Sequence, residues 1–309
     1  MDLDSYQQTA QKTDRVPLKG DVVADRTARL VPLLGLAGEV GTLLAGYKKF
    51  LRDGDAYELF VDNVGEEVGD LLWYLANVAE KWGLSLDKLA AANLNKTSDR
   101  WRLPGAKNFR RRPGELLDHG YPTAQRLPRT FAVEIRSVGK DKGPEERIEL
   151  HYRGRKVGDR LGDNTYAESG YRFHDVFHLA NAAILGWSPV ARSVIFDRKR
   201  RVDDLVDAVE DGGRAIVIEE GMVAFLFEHA RHHRWFEDVT DIDYAVLKTV
   251  RVMTAELEVK RRPLWEVEQA ILQGFNVWRR VRDARGGRVV GDLYRRSLSY
   301  EPLPQGQGS

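Results

Sequence analysis

Apolar positions recur at helical spacing through the N-terminal third of the chain. Residues 3–13 (LDSYQQTAQKT) read as a short amphipathic helix, and a loop with Pro17 and Gly20 follows. From Arg29 to Leu51 the side chains of Leu33, Leu36, Val40, Leu43, Leu44 and Tyr47 fall near one stripe, which predicts a second helix. Arg52-Asp53-Gly54-Asp55 is a turn signal. A third helix is expected from Tyr57 to Trp82, with Leu71, Leu72, Tyr74, Leu75 and Val78 on its apolar side and Gly83 as its stop. Ser85 followed by Asp87-Lys88-Leu89 reads as the start of a fourth helix ending near Trp101.

The stretch 102–130 breaks this pattern with Pro104, Gly105, Pro113, Gly114, Gly120, Pro122 and Pro128, and it carries Arg110-Arg111-Arg112. That composition marks a linker. Residues 131–138 (FAVEIRSV) and 147–153 (RIELHYR) then alternate apolar and polar around the turn-rich KDKGPEE, which predicts a β-hairpin. Helical periodicity resumes over 172–185, over 203–212 leading into 214–234, and over 241–259 and 264–282. Gly286-Gly287 reads as a turn and the PLPQGQGS tail as disordered. No internal repeat is visible. The expected fold is mainly α: an N-terminal all-α helical bundle over 1–103, a linker over 104–128, and a C-terminal, mostly helical α+β domain with a β-hairpin over 129–309. Two domains also suit 309 residues at about 100–200 residues each.

Composition narrows the function. The 48 Lys plus Arg against 47 Asp plus Glu leave no global pull toward nucleic acid or anionic lipid, so a nucleic-acid partner is not expected. The basic runs Arg198-Lys199-Arg200-Arg201 and Arg279, Arg280, Arg282 and Arg285 read as exposed loop or helix positions. The absence of cysteine excludes disulfides and thiol chemistry and fits a reducing compartment. The polar start is not a secretory signal, and no run approaches the ~18 apolar residues of a membrane span, so the expectation is a cytoplasmic protein without a membrane partner.

The candidate chemistry of the first domain is acidic. Glu39 sits among Gly35, Gly38 and Gly41, three glycines at i, i+3, i+6 that suggest close approach of a backbone or a ligand. On the next helix Glu66 and Asp70 are i, i+4, and Glu67 and Asp70 are i, i+3, so their carboxylates are neighbours able to share a cation. They stand against the apolar run Leu71-Leu72-Trp73-Tyr74-Leu75, where an unpaired acid is costly. An oxygen-only cluster suits Mg²⁺ or Mn²⁺. The bland alternative is a solvated acidic face.

The segments LLGLAGEVGTLLAGYKK and GEEVGDLLWYLANVAEKWGLSLDKLAAANLNKTSDRW resemble the all-α MazG-type nucleotide pyrophosphohydrolases, whose motif is E-x-x-E followed after a gap by E-x-x-D. The resemblance covers about residues 5–101. It implies a phosphoanhydride hydrolase that splits a nucleoside triphosphate into monophosphate and pyrophosphate with Mg²⁺ or Mn²⁺. Carried over, Glu39, Glu67 and Asp70 are catalytic and hold the metal. Thr42 stands where the motif has its second Glu. Glu66 then supplies the missing charge, or the site holds fewer metals, or the domain binds nucleotide without hydrolysing it. In the last case it is a nucleotide-sensing module acting in regulation or phage defence. Lys48, with Lys49 beside it, and Asn93, Lys96 and Arg100 on one face of the fourth helix are the expected phosphate contacts. Trp73 and Tyr74 fit core packing better than base stacking. The resemblance also implies a homo-oligomer, a dimer or higher.

The second domain resembles the C-terminal extension of some MazG-like proteins. Its suggestive feature is His174 and His178 at i, i+4, with Asp175 between them and Glu219-Glu220 on a later helix. These five residues read either as a second metal site for Mn²⁺, Fe²⁺ or Zn²⁺ or as a buried polar network.

Overall fold

Residues 1–101, 110–139 and 146–303 are described by a computed structural model, in which the chain divides into Met1–Ser98 and Asp99–Ser309. Part of the expected linker, most of the KDKGPEE turn and the end of the tail lie outside the described residues.

The first unit is helical, as its periodicity predicts. Helix α1 (Leu3–Ala10) is capped by Asp2, whose carboxylate accepts from the Ser5 amide at 2.7 Å. Helix α2 (Val22–Asp53) starts earlier than the apolar stripe suggests, because Asp21 caps the Val23 and Ala24 amides. Gly54, at φ 58°, ends it. Helices α3 (Phe60–Lys81) and α4 (Leu86–Arg100) follow. Polar ties hold α1 to the α3–α4 corner. The Gln7 amide donates to Glu80 and to the Leu84 carbonyl at 2.9 Å each, and Asp4 accepts from the Ser85 hydroxyl at 2.8 Å. Lys81 is buried and pairs with Asp14 at 2.9 Å.

The three-glycine stripe of α2 has one structural explanation and two open positions. A Cβ on Gly35 would fall 2.7 Å from Tyr74 Cδ1 and closer still to two other ring carbons, whereas nothing lies within 4 Å at Gly38 or Gly41. Tyr74 packs edge-on to Trp73, and Trp73 Nε1 donates to Thr13 Oγ1, so both aromatics serve packing as expected. The outer faces stay apolar: Leu44 is 63% and Leu51 70% exposed on α2, and Val61 75% on α3. By length and composition alone α2 is apolar enough to cross a bilayer, which the count of consecutive apolar residues does not reveal. Its apolar side chains are interspersed with glycine, alanine and Glu39.

The second unit packs helices on an antiparallel five-stranded sheet of order β3-β2-β1-β4-β5. Strands β1 (Thr130–Gly139) and β2 (Arg147–Tyr152) form the expected hairpin, with Val133 facing Tyr152 and Ile135 facing Leu150. Alternate residues Phe131, Val133 and Ile135 are buried. Three further strands escape the pattern. The edge strand β3 (Arg155–Leu161) is too polar to alternate. Strand β4 (Gly286–Asp292) starts at the glycine pair that reads as a turn, and β5 (Ser297–Glu301) pairs with it. Those glycines are required by proximity rather than by a turn: a Cβ at Gly286 would lie 2.7 Å from the Ile135 carbonyl oxygen, and one at Gly287 would enter the Tyr300 ring.

The described residues 110–128 are not a spacer. Leu116 and Leu127 belong to the core, and Arg111 is buried against Glu266 and the Ile184 carbonyl. Helices α5 (Asp175–Ala180), α6 (Asp204–Val209), α7 (Gly213–Arg231), α8 (Tyr244–Met253) and α9 (Leu264–Asp283) complete the unit. A five-residue π-turn, Asn181–Leu185, continues α5. Trp278 on α9 is fully buried and donates to the Gly170 carbonyl at 3.1 Å. The basic run before α6 is not all surface. Arg200 is buried between Asp211 and Glu258, both at 2.7 Å, because an interior guanidinium persists only when paired.

Candidate functional site

In the first unit α2 packs on α3 so that Glu39 meets Glu67, with Glu66 and Asp70 near enough to add their charges. Glu39 and Glu67 are half-buried, and Glu66 and Asp70 are exposed. Glu67 is held above the usual carboxylate range by partial desolvation, by a hydrogen bond with the Glu39 carboxyl, and by the charges of Glu39, Asp70 and Glu66. Its Oε2 atom is buried without a hydrogen-bond partner. Mutually repelling carboxylates with an orphaned oxygen make an oxygen-rich set that a hard divalent cation would satisfy, so the residues present fit Mg²⁺ or Mn²⁺.

Glu67 also lines a cleft of about 250 Å³ between the two helices. Around it stand Thr42, Gly46 and Lys49 from α2 and Phe60, Asn63 and Val64 from α3, with Tyr57 from the connecting turn. Asn63 Nδ2 donates to the Tyr57 hydroxyl at 2.6 Å, and Phe60 stacks on Phe50 with ring centroids 4.3 Å apart. Thr42 is exposed, and its hydroxyl donates to the Gly38 carbonyl at 3.3 Å. The cleft therefore joins an acidic end, one lysine and aromatic faces, the elements needed to hold a phosphorylated aromatic ligand.

The expected phosphate contacts fare unevenly. Lys49 lines the cleft, whereas Lys48 is exposed and does not. Asn93 and Lys96 are exposed on α4 and are not among the lining residues. Arg100 is a correction. It is buried, donates to Glu268 at 2.8 Å and stacks on Trp101, so its guanidinium serves the interior of the second unit. Sequence reading passed over Tyr57, Phe60 and Asn63. Phe60, Asn63, Glu67 and Asp70 share one face of α3 at i, i+3, i+7 and i+10, a spacing that was available as a signal.

The second unit assembles most of its candidate cluster. His178 is wholly buried, with Nδ1 3.2 Å from Glu219 and Nε2 3.4 Å from Glu220. Neither approach has hydrogen-bond geometry, so both are ion-pair contacts only. Burial alone would depress the His178 pKa, but the Glu219 and Glu220 carboxylates outweigh it and raise it above the usual imidazole value. Glu219, itself fully buried, accepts from Asn181 Nδ2 and Ser188 Oγ at 3.0 Å and from the Val190 amide at 2.9 Å. His174 Nε2 lies 3.9 Å from Glu220, and its Nδ1 lies 2.9 Å from the Tyr171 carbonyl. Asp175 contributes charge to His178 but none of its atoms joins the group formed by His174, His178 and Glu220.

The MazG C-terminal domain family matches residues 112–304. The chain is also 34% identical over 102 residues to the Gene 37 protein of Mycobacterium phage L5, an alignment covering 32% of this chain and 89% of that protein. No solved structure matches. The match over residues 112–304 spans most of the second unit and more than half of the chain, and on that ground the chain belongs to the MazG C-terminal domain family and is a MazG-like family member.

Proposed function

We propose that the first unit is a Mg²⁺- or Mn²⁺-dependent nucleoside triphosphate pyrophosphohydrolase that releases NMP or dNMP and pyrophosphate. The observation that carries the proposal is the approach of Glu39 and Glu67, with the orphaned Glu67 Oε2, at the edge of the α2–α3 cleft. Glu39, Glu66, Glu67 and Asp70 would hold the cation. When bound, such an ion neutralises phosphate charge and acidifies water. Lys49 supplies the positive charge on the cleft wall, and the Tyr57 and Phe60 rings offer faces for a base. One of the glutamates accepts the proton of the attacking water. The water oxygen bonds to phosphorus as the bond between the monophosphate and pyrophosphate groups breaks.

The test is incubation of the full chain with each common NTP and dNTP plus Mg²⁺ or Mn²⁺, following monophosphate and pyrophosphate. Product formed by the native chain and lost in Glu67→Ala supports the reading, and no turnover with any nucleotide or metal refutes it. A second reading is a nucleotide-sensing module without turnover. It is favoured by Thr42, whose hydroxyl is committed to the Gly38 carbonyl and brings no charge to the metal set. Nucleotide binding without product release distinguishes it.

A further inference from the structure

His174 and His178 project from neighbouring turns of the chain at α5, and Glu219 and Glu220 are consecutive on α7. One ligand atom each from His174, His178 and Glu220 lies within 4.8 Å of the others. We propose that His174 Nε2, His178 Nε2 and a Glu220 carboxylate oxygen bind one first-row divalent transition-metal ion of the Zn²⁺, Fe²⁺ or Mn²⁺ class, with Glu219 orienting His178 from behind.

Four observations support this site independently of the nucleotide cleft. The first is the crowding of two carboxylates on a wholly buried ring, Glu219 at Nδ1 and Glu220 at Nε2 of His178, neither in hydrogen-bond geometry, where a metal ion would take the place of the Nε2 proton as the cation between ring and carboxylate.

The second is tautomer control. A carbonyl only accepts, so the His174 Nδ1 atom facing the Tyr171 carbonyl carries the proton. The lone pair then lies on Nε2, 3.9 Å from a Glu220 carboxylate oxygen. At His178 the Glu219 carboxylate stands at Nδ1, the position of the outer carboxylate behind a metal-bound histidine. Glu219 is itself immobilised by Asn181, Ser188 and Val190.

The third is distance. Metal–nitrogen bonds of about 2.0–2.1 Å place neighbouring ligand atoms roughly 3–3.5 Å apart. The His178–Glu220 separation of 3.4 Å already meets this, and the His174–Glu220 separation of 3.9 Å needs only a small inward shift. The Glu220 side chain is 40% exposed and free to make that shift.

The fourth is chemical type and openness. Two imidazoles and one carboxylate favour a transition metal over Mg²⁺, unlike the oxygen-only set of the first unit. Three protein ligands with Glu220 only half-buried leave coordination positions for water or a substrate, the pattern of a reactive centre rather than a closed structural one.

The test uses the full chain stripped of metal and loaded with Zn²⁺ alone, with bound metal counted by elemental analysis after dialysis. The Glu67→Gln chain removes the contribution of the first unit. The expected result is one Zn²⁺ per chain retained by Glu67→Gln. In His174→Ala and Glu220→Gln, each added to Glu67→Gln, affinity should fall by more than the about 10–100-fold that loss of an outer partner costs. Both replaced side chains are partly exposed, and circular dichroism confirms that each variant is folded. Two variants keep the test decisive if one fails to fold. No zinc retained by Glu67→Gln, or equal retention in the folded variants, overturns the site and leaves His178 as an imidazolium between two carboxylates. Neither result depends on whether the first unit hydrolyses nucleotides.

Discussion

Replacing Gly35 and Gly38 of α2 separately by alanine tests the packing on which the cleft rests. The two positions share a helix and receive the same methyl group, so the gain of about 1 kcal/mol in helix propensity is common to both. Their surroundings differ. At Gly35 the new carbon would stand 2.7 Å from Tyr74 Cδ1 and nearer to two more ring atoms, while at Gly38 it meets nothing within 4 Å. Ordinary carbon contact needs about 3.5–4.0 Å, so the tyrosine must move by roughly 1 Å or more. It has little room to do so, because Trp73 abuts it at 5.0 Å between centroids and is tied to Thr13. Such overpacking costs about 1–3 kcal/mol. The expected outcome is Gly38→Ala stabilised by about 1 kcal/mol and Gly35→Ala destabilised by up to about 2 kcal/mol. The difference between them is the overpacking cost alone. At ~4–8 °C per kcal/mol for a unit of this size, the two melting points should separate by at least about 4 °C. A two-unit chain need not melt in one step, so thermal melts are read with native-state hydrogen exchange of the α2 and α3 amides. Equal destabilisation by the two substitutions would refute the reasoning. A stabilised but inactive Gly38→Ala chain would instead indicate that a ligand or a second copy lies against that open face.

Thr42→Glu restores the carboxylate of the family motif at the edge of the cleft. Because ligand charge count tunes divalent affinity, half-saturation by Mg²⁺ should fall by ~10-fold, and an unchanged calorimetric titration would count against a metal at this site. Asp163 is buried, which alone would raise its pKa, but the amides of Arg172, Gly170 and Ser169 and the Arg172 guanidinium hold it below 3.8. A depressed acid stabilises the fold above its unfolded value, and that contribution is lost as pH falls below about 3.8 through the lower folded value. Exchange of the Ser169, Gly170 and Arg172 amides should therefore accelerate below that pH in the native chain, and a pH-independent protection would contradict the assignment. The exposed apolar faces of α2 and α3 are expected to be covered by a second copy, so sedimentation should show a dimer or higher assembly. A monomer, or partition into lipid vesicles, would refute that expectation.

Periodicity determined what depends on local order. The helices of the first unit follow from their apolar stripes and caps, and the β1–β2 hairpin follows from alternation. The grouping of Glu66, Glu67 and Asp70 follows from one turn of helix, and so does the pairing of His174 with His178. What depends on distant neighbours was decided only in three dimensions. Strand β4 begins at two glycines because the Ile135 carbonyl and the Tyr300 ring approach from other strands, which no local pattern encodes. Arg100 and Arg200 look like surface cations in sequence, yet both are interior because Glu268, Asp211 and Glu258 arrive from remote segments to pair with them. The acids of α3 acquire Glu39, and the histidines of α5 acquire Glu219 and Glu220, only when one helix packs on another. A residue's chemistry is written in its type, but its charge state, burial and partners are set by the side chains that folding places around it.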